Sequence, residues 1–188
     1  MTITERFTLG GVSNTTLNFY VLDGWKRPLA PGTEDRTAKV LGRAGNIWID
    51  SKLTAREFNI PGYFIADTEA DLDSYARTLA AFLMDTDGKP KQLALVFSDE
   101  ADKTYTVRYN TAIDLNRWIS QMRGSFSIPL IADDPYAYEA EETTSTTVTA
   151  SPSTIPITST SVIKTPAKIC IENTGATPVT GFTLKIYY

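Results

Sequence analysis

One segment of the chain has the apolar spacing of a helix, whereas most of the rest alternates with the two-residue period of strands. Within residues 68–84 the large apolar side chains recur three and four positions apart, which places them on one helix face. Thr68 can cap the N-terminus, with Asp71 three residues later, and Gly88 and Pro90 follow the end. We therefore predict one helix at about 68–84, with its apolar face in the core.

Alternating apolar residues predict strands in most of the remaining chain. Pro61 and Gly62 are expected to end one of them, and the polar residues 98–103 to form the turn of a hairpin. The fold class is therefore mainly β with one α-helix (α+β). The predicted strands are Thr15–Leu22, Ile47–Asp50, Leu53–Ile60, Lys91–Phe97, Thr104–Tyr109, Ile113–Ile119, Ser125–Ile131, Ala167–Ile171 and Phe182–Tyr188.

Between the first two strands, residues 23–46 are rich in Gly, Pro and basic side chains. Loops of this length are usually functional or disordered. One interpretation is a mobile, solvated loop; the other is an arm that lies on a neighbouring subunit, which would bury its apolar groups. The second interpretation makes subunit-interface candidates of Trp25, Arg27, Arg36, Val40, Leu41 and Arg43.

The composition changes near residue 143, where a stretch dominated by Ser and Thr begins. It predicts a linker or polar edge strands. We expect a first domain at 1–142 and a β-only segment at 143–188. About 46 residues without a disulfide is near the lower limit for an independent core. This segment is therefore expected to fold back on the first domain or on a neighbouring subunit, or the chain is the N-terminal part of a longer protein.

The chain has no histidine, which removes the side chain that titrates near neutral pH and the commonest transition-metal ligand. Neither a phosphate-binding glycine motif nor a nucleophile motif occurs. We expect no catalytic residue, no metal site and no cofactor. The net charge of −4, with no basic run, argues against a nucleic-acid partner. The N-terminus lacks the pattern of a secretory signal, no apolar run is long enough for a membrane span, and Cys170 is expected to be a small core residue.

Two acidic pairs are candidate sites. Asp133 and Asp134 are adjacent, so on an extended chain they point in opposite directions. A turn is the better interpretation, and we assign Asp134, Pro135, Tyr136 and Tyr138 to a domain-boundary turn. The two tyrosines could instead stack on a sugar ring. Asp85 and Asp87 resemble the start of a calcium loop but lack its other ligands, which favours a turn that ends the helix.

In the order of these features the chain resembles the distal tail protein family of siphophages. These are long-tailed bacteriophages, here those that infect Gram-positive hosts. The resemblance rests on the first strand followed by a long loop, on the turn Gly42-Arg43-Ala44-Gly45, and on the passage from Arg56 through the helix. Its most specific part is the segment FSIPLIADDPYAY at residues 126–138. Residues 171–175, followed by Pro178, are similar to the opening of the family's C-terminal galectin-like sandwich.

The resemblance implies a structural hub rather than an enzyme. Six subunits would form a ring, or stacked rings, with the domain at 1–142 closing the ring. The segment at 143–188 would be a partial or reduced galectin-like domain. The ring would join the tail tube protein to a tail-associated lysin-type protein of the tail tip, and to receptor-binding proteins, while letting DNA pass. It implies a place in the virion tail after assembly in the host cytoplasm, with no membrane partner and no sequence-specific nucleic acid.

Two other function classes remain open at this point. The terminal β segment and its aromatic residues suggest a carbohydrate-binding β-sandwich module, which could act as a monomer. A histidine-free glycosidase with two carboxylates is the enzymatic alternative, but no convergent carboxylate pair is visible in the sequence.

Overall fold

The computed structural model describes residues 3–118, 122–140, 145–149, 153–156, 169–177, 181 and 183–184. It divides the chain into two compact units, Met1–Glu142 and Thr143–Tyr188. No helix in the part of the chain that the structure describes is long and apolar enough to cross a membrane. The described residues confirm the predicted class, mainly β with a single helix.

The described part of the first unit contains eleven elements. Their bounds are β1 Phe7–Leu9, β2 Val12–Ser13, β3 Tyr20–Val21, β4 Thr33–Lys39, β5 Asn46–Leu53, β6 Arg56–Ile65, α1 Glu69–Leu83, β7 Leu93–Phe97, β8 Glu100–Tyr109, β9 Asn116–Trp118 and β10 Arg123–Ala132. Eight strands form one antiparallel sheet in the order β2-β1-β7-β8-β10-β6-β3, with β9 beside β10. Strands β4 and β5 form a separate two-stranded sheet.

The main sheet curls around an aromatic core. Alternate residues of its long strands are buried, as the two-residue period requires. Phe7 of β1 contacts Phe19, just before β3, with ring centroids 5.7 Å apart. Since β1 and β3 lie near opposite ends of the strand order, this contact brings the two ends of the sheet together. Phe19 also packs on Phe126 of β10, at 4.8 Å.

The predicted helix is confirmed as α1. The Thr68 hydroxyl accepts a hydrogen bond from the Asp71 backbone N–H at 3.1 Å, which makes Thr68 the N-cap. Leu72, Leu79 and Leu83 are buried, so the apolar face packs into the core as expected. Asp85 then accepts hydrogen bonds from backbone N–H groups two and four residues later, which is a turn rather than a calcium loop.

The predicted strand Thr15–Leu22 is wrong over most of its length. Residues 14–18 form a turn, with Asn18 at a positive φ of 54°, and only Tyr20–Val21 is strand. The cause is Asn14, a fully buried polar residue whose amide bonds four backbone groups, including the Phe7 N–H and the Phe19 carbonyl. Satisfying that amide folds the segment into a turn while Leu17 and Phe19 stay buried.

Two predicted strand ends are also wrong. Strand β6 runs through Pro61 and Gly62 to Ile65. A Cβ atom at Gly62 would lie 1.6 Å from Cε2 of Phe19, so this glycine permits close packing within a strand rather than ending one. The polar residues 98–103 are mostly strand as well, because β8 begins at Glu100. Its first residues are largely exposed, and an exposed strand face can be polar.

The second unit has no helix or strand among its described residues, and all of these are exposed. Cys170 is among them, so its prediction as a core residue is wrong; its neighbours Ile169 and Ile171 are exposed too. Asn173 organises a turn, with its amide oxygen accepting from the Gly175 N–H at 3.0 Å. The predicted strands Ala167–Ile171 and Phe182–Tyr188 lie partly outside the described residues, and their described parts are not strand.

Candidate assembly surface

The long segment predicted as a loop at 23–46 contains one strand of a β-hairpin. Strands β4 and β5 pair from Thr33 with Leu53 to Lys39 with Asn46, with a bulge between Arg36 and Thr37. The prediction of a loop is therefore wrong for Thr33–Lys39, while the choice between a mobile segment and an arm on a neighbouring subunit stays a prediction. Strand β4 was not predicted because its side chains are mostly polar and exposed, and therefore show no alternation of apolar residues.

The hairpin is exposed along nearly its whole length, although it carries large apolar side chains. Leu41 in the connecting turn is fully exposed, and Trp48 of β5 is 61% exposed. Ile49 beside it is also exposed. A two-stranded hairpin is marginally stable in water by itself, and exposed apolar groups of this size often mark an interaction surface.

A small polar network orients the indole of Trp48. Its Nε1–H donates to the Ser51 hydroxyl at 2.8 Å. That hydroxyl in turn donates to the Asp35 carboxylate on the paired strand. The indole is therefore held in one orientation while its face stays open to solvent.

Hydrogen bonds fasten the base of the hairpin to the rest of the first unit. The Thr54 N–H donates to the Gly32 carbonyl at 2.9 Å, which closes the hairpin behind its last strand pair. The Arg56 guanidinium donates to the Pro28 carbonyl, and to the Leu29 carbonyl at 3.1 Å. It also lies 5.0 Å from the ring centroid of Tyr105. Arg56 thus connects the chain entering the hairpin to the aromatic core.

A shallow, partly open pocket of about 300 Å³ lies at this base, lined by residues 28, 30–32 and 54–57. We call it the root cavity. Its walls are largely proline, alanine and glycine on one side, and Leu29, which lies between two lining residues, is 97% exposed. Glu57 is an exposed carboxylate among the lining residues.

The predicted interface residues fall into two groups. Trp25 and Arg27 pack within their own subunit: Trp25 lies 5.4 Å from the Phe97 ring, and Arg27 stacks over the same ring at 4.7 Å. Arg27 also forms ion pairs with Asp99 and Glu100. Both residues hold the segment that leads into the hairpin.

The other four predicted interface residues lie on the hairpin itself. Arg36 is in β4, and Val40, Leu41 and Arg43 lie in the turn between its strands. Gly42 and Gly45 of that turn have φ near 80°, a conformation that suits glycine. The structure therefore brings these four onto one projecting element.

Trp48, Ile49 and Leu29 are exposed apolar residues that sequence reasoning did not single out as interface candidates. A signal was present for Trp48, since it lies in the predicted strand Ile47–Asp50. A strand with one apolar face is normally expected to turn that face to the core. That this strand belongs to a separate hairpin is seen only from its pairing with β4, which the structure gives and the sequence does not.

The predicted domain-boundary turn contains two polar clusters. The Asp134 carboxylate accepts from the Tyr138 hydroxyl at 2.6 Å and from the Tyr136 N–H. The hydrogen bond to Asp134 raises the pKa of Tyr138 above its ordinary value. Asp133 instead accepts hydrogen bonds from Nε–H and Nη2–H of Arg108, at 2.9 and 3.1 Å, which raises the pKa of Arg108. The two carboxylates thus have separate partners, as expected for adjacent residues.

Within the residues that the structure describes, no group of three or more acidic or cysteine side chains is placed to hold a metal ion. The features that stand out are instead an exposed hairpin and a cavity at its base. Both are suited to protein–protein contact.

Comparison with known proteins identifies a family that matches this chain and a solved structure with a similar fold. The phage tail protein RIFT-related domain family matches residues 12–132, which is more than half of the 188 residues. The fold is similar to that of SPP1 Dit, a protein whose crystal structure is known and which is described as a paradigm of the hub adsorption apparatus in phages that infect Gram-positive bacteria. The TM-score is 0.60 at 21% sequence identity, over 72% of this chain. The match spans about half of the SPP1 Dit chain, 52%. A search of curated proteins found no match.

The family match includes the curled sheet from β2 to the end of β10, the helix and the hairpin. The siphophage tail assignment predicted from the sequence is confirmed. The chain belongs to the phage tail protein RIFT-related domain family.

Proposed function

We propose that this protein is a hub subunit of a long non-contractile phage tail, and that six copies close into a ring. In this proposal the first unit, 1–142, forms the ring and the hairpin of each copy lies on its neighbour. The ring joins the tail tube to the tail tip and leaves an opening for DNA. Its role is structural, without a catalytic step.

The exposed hairpin is the observation that carries this proposal. It projects Leu41, Trp48 and Ile49 into solvent from a domain of a phage tail family. Burying a large apolar side chain contributes about 1.5–3 kcal/mol, so contact with a neighbour would stabilise the assembly. A closed ring repeats one heterologous contact, for which each subunit needs two different complementary faces. The exposed hairpin would supply one of these two faces, and a surface of the neighbouring copy the other.

We further propose which proteins the ring contacts. The tail tube protein would contact one side of the ring, and a tail-associated lysin-type protein and receptor-binding proteins the other. Residues 143–188 would form the partial galectin-like segment. Assembly would take place in the host cytoplasm before the tail is complete.

Removing the hairpin tests the proposal without removing the core. Because the Thr54 N–H bonds the Gly32 carbonyl, the two ends are adjacent, and a Gly-Ser dipeptide can replace Thr33–Leu53. We expect the wild-type protein to elute as a hexamer in size exclusion with light scattering, and to show rings in negative stain. The deletion variant should be monomeric and retain a cooperative thermal transition.

The matched control keeps the hairpin but changes an exposed position on the helix, Arg77→Met. It should assemble like the wild type. A wild-type protein that stays monomeric at high concentration would contradict the hub role and favour the carbohydrate-binding module. Intact rings from the deletion variant would show that the hairpin is not the contact.

A further inference from the structure

The hairpin has an unpartnered feature at each end. The turn at residues 40–45, which we call the tip, exposes Val40 and Leu41. The root cavity lies at the other end, with Leu29 exposed beside it. Each end therefore presents apolar surface that nothing in the described part of the chain covers.

The tip of a subunit cannot reach the root cavity of the same subunit. The paired stretch is seven residues long in β4, and a strand rises about 3.3 Å per residue. The two ends of the hairpin are thus separated by about 23 Å. Any contact between a tip and a root cavity must join two copies, and it is head-to-tail, which is the kind of contact that closes a ring.

The two ends of the hairpin are complementary: one has a protruding apolar side chain and a positive charge, and the other has an apolar pocket and a negative charge. Leu41 is a protruding apolar side chain, and Pro28, Ala30 and Pro31 supply apolar walls to the cavity. Arg43 at the tip and Glu57 at the cavity are exposed, and neither forms an ion pair within the described residues.

The one basic residue that lines the cavity does not oppose this pairing. Arg56 has its guanidinium donating to the Pro28 and Leu29 carbonyls and lying over the Tyr105 ring. Its guanidinium is thus directed toward the chain entering the hairpin, and Glu57 is a lining carboxylate that forms no ion pair with any described residue.

We propose that the hairpin tip of one copy occupies the root cavity of the next, with Leu41 against the proline and alanine walls and Arg43 facing Glu57. The occupant is a second copy of this chain. The inference rests on the proposed self-assembly and adds the acceptor site to it.

Charge reversal tests the pairing in both directions. Arg43→Glu alone and Glu57→Arg alone each place like charges at every contact, and we expect each to weaken association about tenfold or more. The double variant restores opposite charges and should assemble within about threefold of the wild type. Arg77→Glu, on the exposed face of the helix, is the matched charge control and should have no effect.

Mixing the two single variants gives a sharper result. In an equimolar mixture of Arg43→Glu and Glu57→Arg, a ring can alternate the two variants. One contact then pairs the two substituted positions, which carry opposite charges, and the next pairs the two unsubstituted residues, Arg43 and Glu57. An even-numbered ring can close in this way, so the mixture should form rings although neither variant does alone. This outcome also shows that both variants are folded.

Cross-linking gives an independent test. In a Cys170→Ser background, Leu41→Cys with Ala30→Cys should oxidise to a ladder of covalent oligomers, whereas Leu41→Cys with Ala80→Cys on the helix should not. If wild-type rings form but the mixture does not assemble and no ladder appears, the acceptor site is wrong and the hub role stands. If the wild type forms no rings, the proposed function itself has failed.

Discussion

Arg56 makes several kinds of contact at one position, and its replacement should loosen the base of the hairpin. It is partly buried, its guanidinium donates to two backbone carbonyls, and it lies over two aromatic rings. Arg56→Met keeps an apolar stem for packing but removes the charged donors. We expect the free energy of unfolding to fall by about 2 kcal/mol, because hydrogen bonds from charged groups are lost.

Urea denaturation at a protein concentration low enough to keep the chain monomeric measures this change. Arg77→Met, an exposed arginine on α1, is the matched control and should shift stability by less than about 0.5 kcal/mol. Equal effects of the two substitutions would show that the contacts of Arg56 do not contribute to stability.

Tyr138 should make stability depend on alkaline pH. Its hydroxyl donates to the Asp134 carboxylate, which raises its pKa above the ordinary value of 10.0. The neutral phenol is the favoured form, so this contribution is fully present below the unfolded pKa and is lost as pH rises through the folded pKa. The stability difference between wild type and Tyr138→Phe should therefore shrink above about pH 10.

Asp134→Asn provides the comparison, since it removes the charge that favours the phenol. In that variant the tyrosinate absorbance attributable to Tyr138 should appear at lower pH than in the wild type. An unchanged titration would mean that the hydrogen bond is absent in solution.

Two strand predictions were wrong because of the contacts of single residues. The alternation of Leu17 and Phe19 correctly indicated burial, yet the segment is a turn because Asn14 needs four backbone partners. Gly62 indicated a strand end, yet it is a glycine because Phe19 leaves no room for a Cβ atom. In both places a tertiary contact overrides the local pattern, and that contact cannot be read from neighbouring residues.

At the scale of elements, the hairpin should be the least protected part of the first unit until the protein assembles. Its strands pair with each other and with no other strand of the described chain, whereas β6 and β10 pair over ten positions inside the main sheet. Local opening is easiest where backbone hydrogen bonds are exposed and few apolar contacts are buried.

Hydrogen exchange measures this difference directly. In dilute monomer the amides of β4 and β5 should exchange rapidly, and in the ring they should become protected, while those of β6 and β10 stay protected in both. Protection of the hairpin in the monomer would show that it is stable by itself and does not depend on a neighbour.

The predictability of each element follows from where its stabilising contacts lie. Helix α1 was located correctly because its cap and its apolar stripe are local. The β7–β8 hairpin was found because its alternation is regular and its strands are adjacent in sequence. Strand β4 was missed because its side chains are exposed. Four candidate interface residues predicted from the sequence lie on the hairpin. The root cavity could not be predicted, because it is formed by residues near 30 and 56 that only the fold brings together.

At the scale of the whole molecule, the two units differ in the burial that can stabilise them. The first unit has a single aromatic core that includes Phe7, Phe58, Phe97 and Phe126. In the second unit every described residue is exposed, including the apolar side chains of Val148, Ile155 and Ile171. A segment of about 46 residues without a disulfide has little apolar surface to offset the entropy of ordering its chain.

We therefore expect the fragment 1–142 to fold alone and the fragment 143–188 not to. Circular dichroism during heating should show a cooperative transition for the first and a featureless, non-cooperative change for the second. The physical reason is that folding needs enough buried apolar area to exceed about 1–2 kcal/mol of backbone entropy per residue, and among the residues that the structure describes only those of the first unit form a core of that kind. A cooperative transition from monomeric 143–188 would show that this segment is a self-sufficient small domain, and the proposal of a partial galectin-like segment would then have to be abandoned.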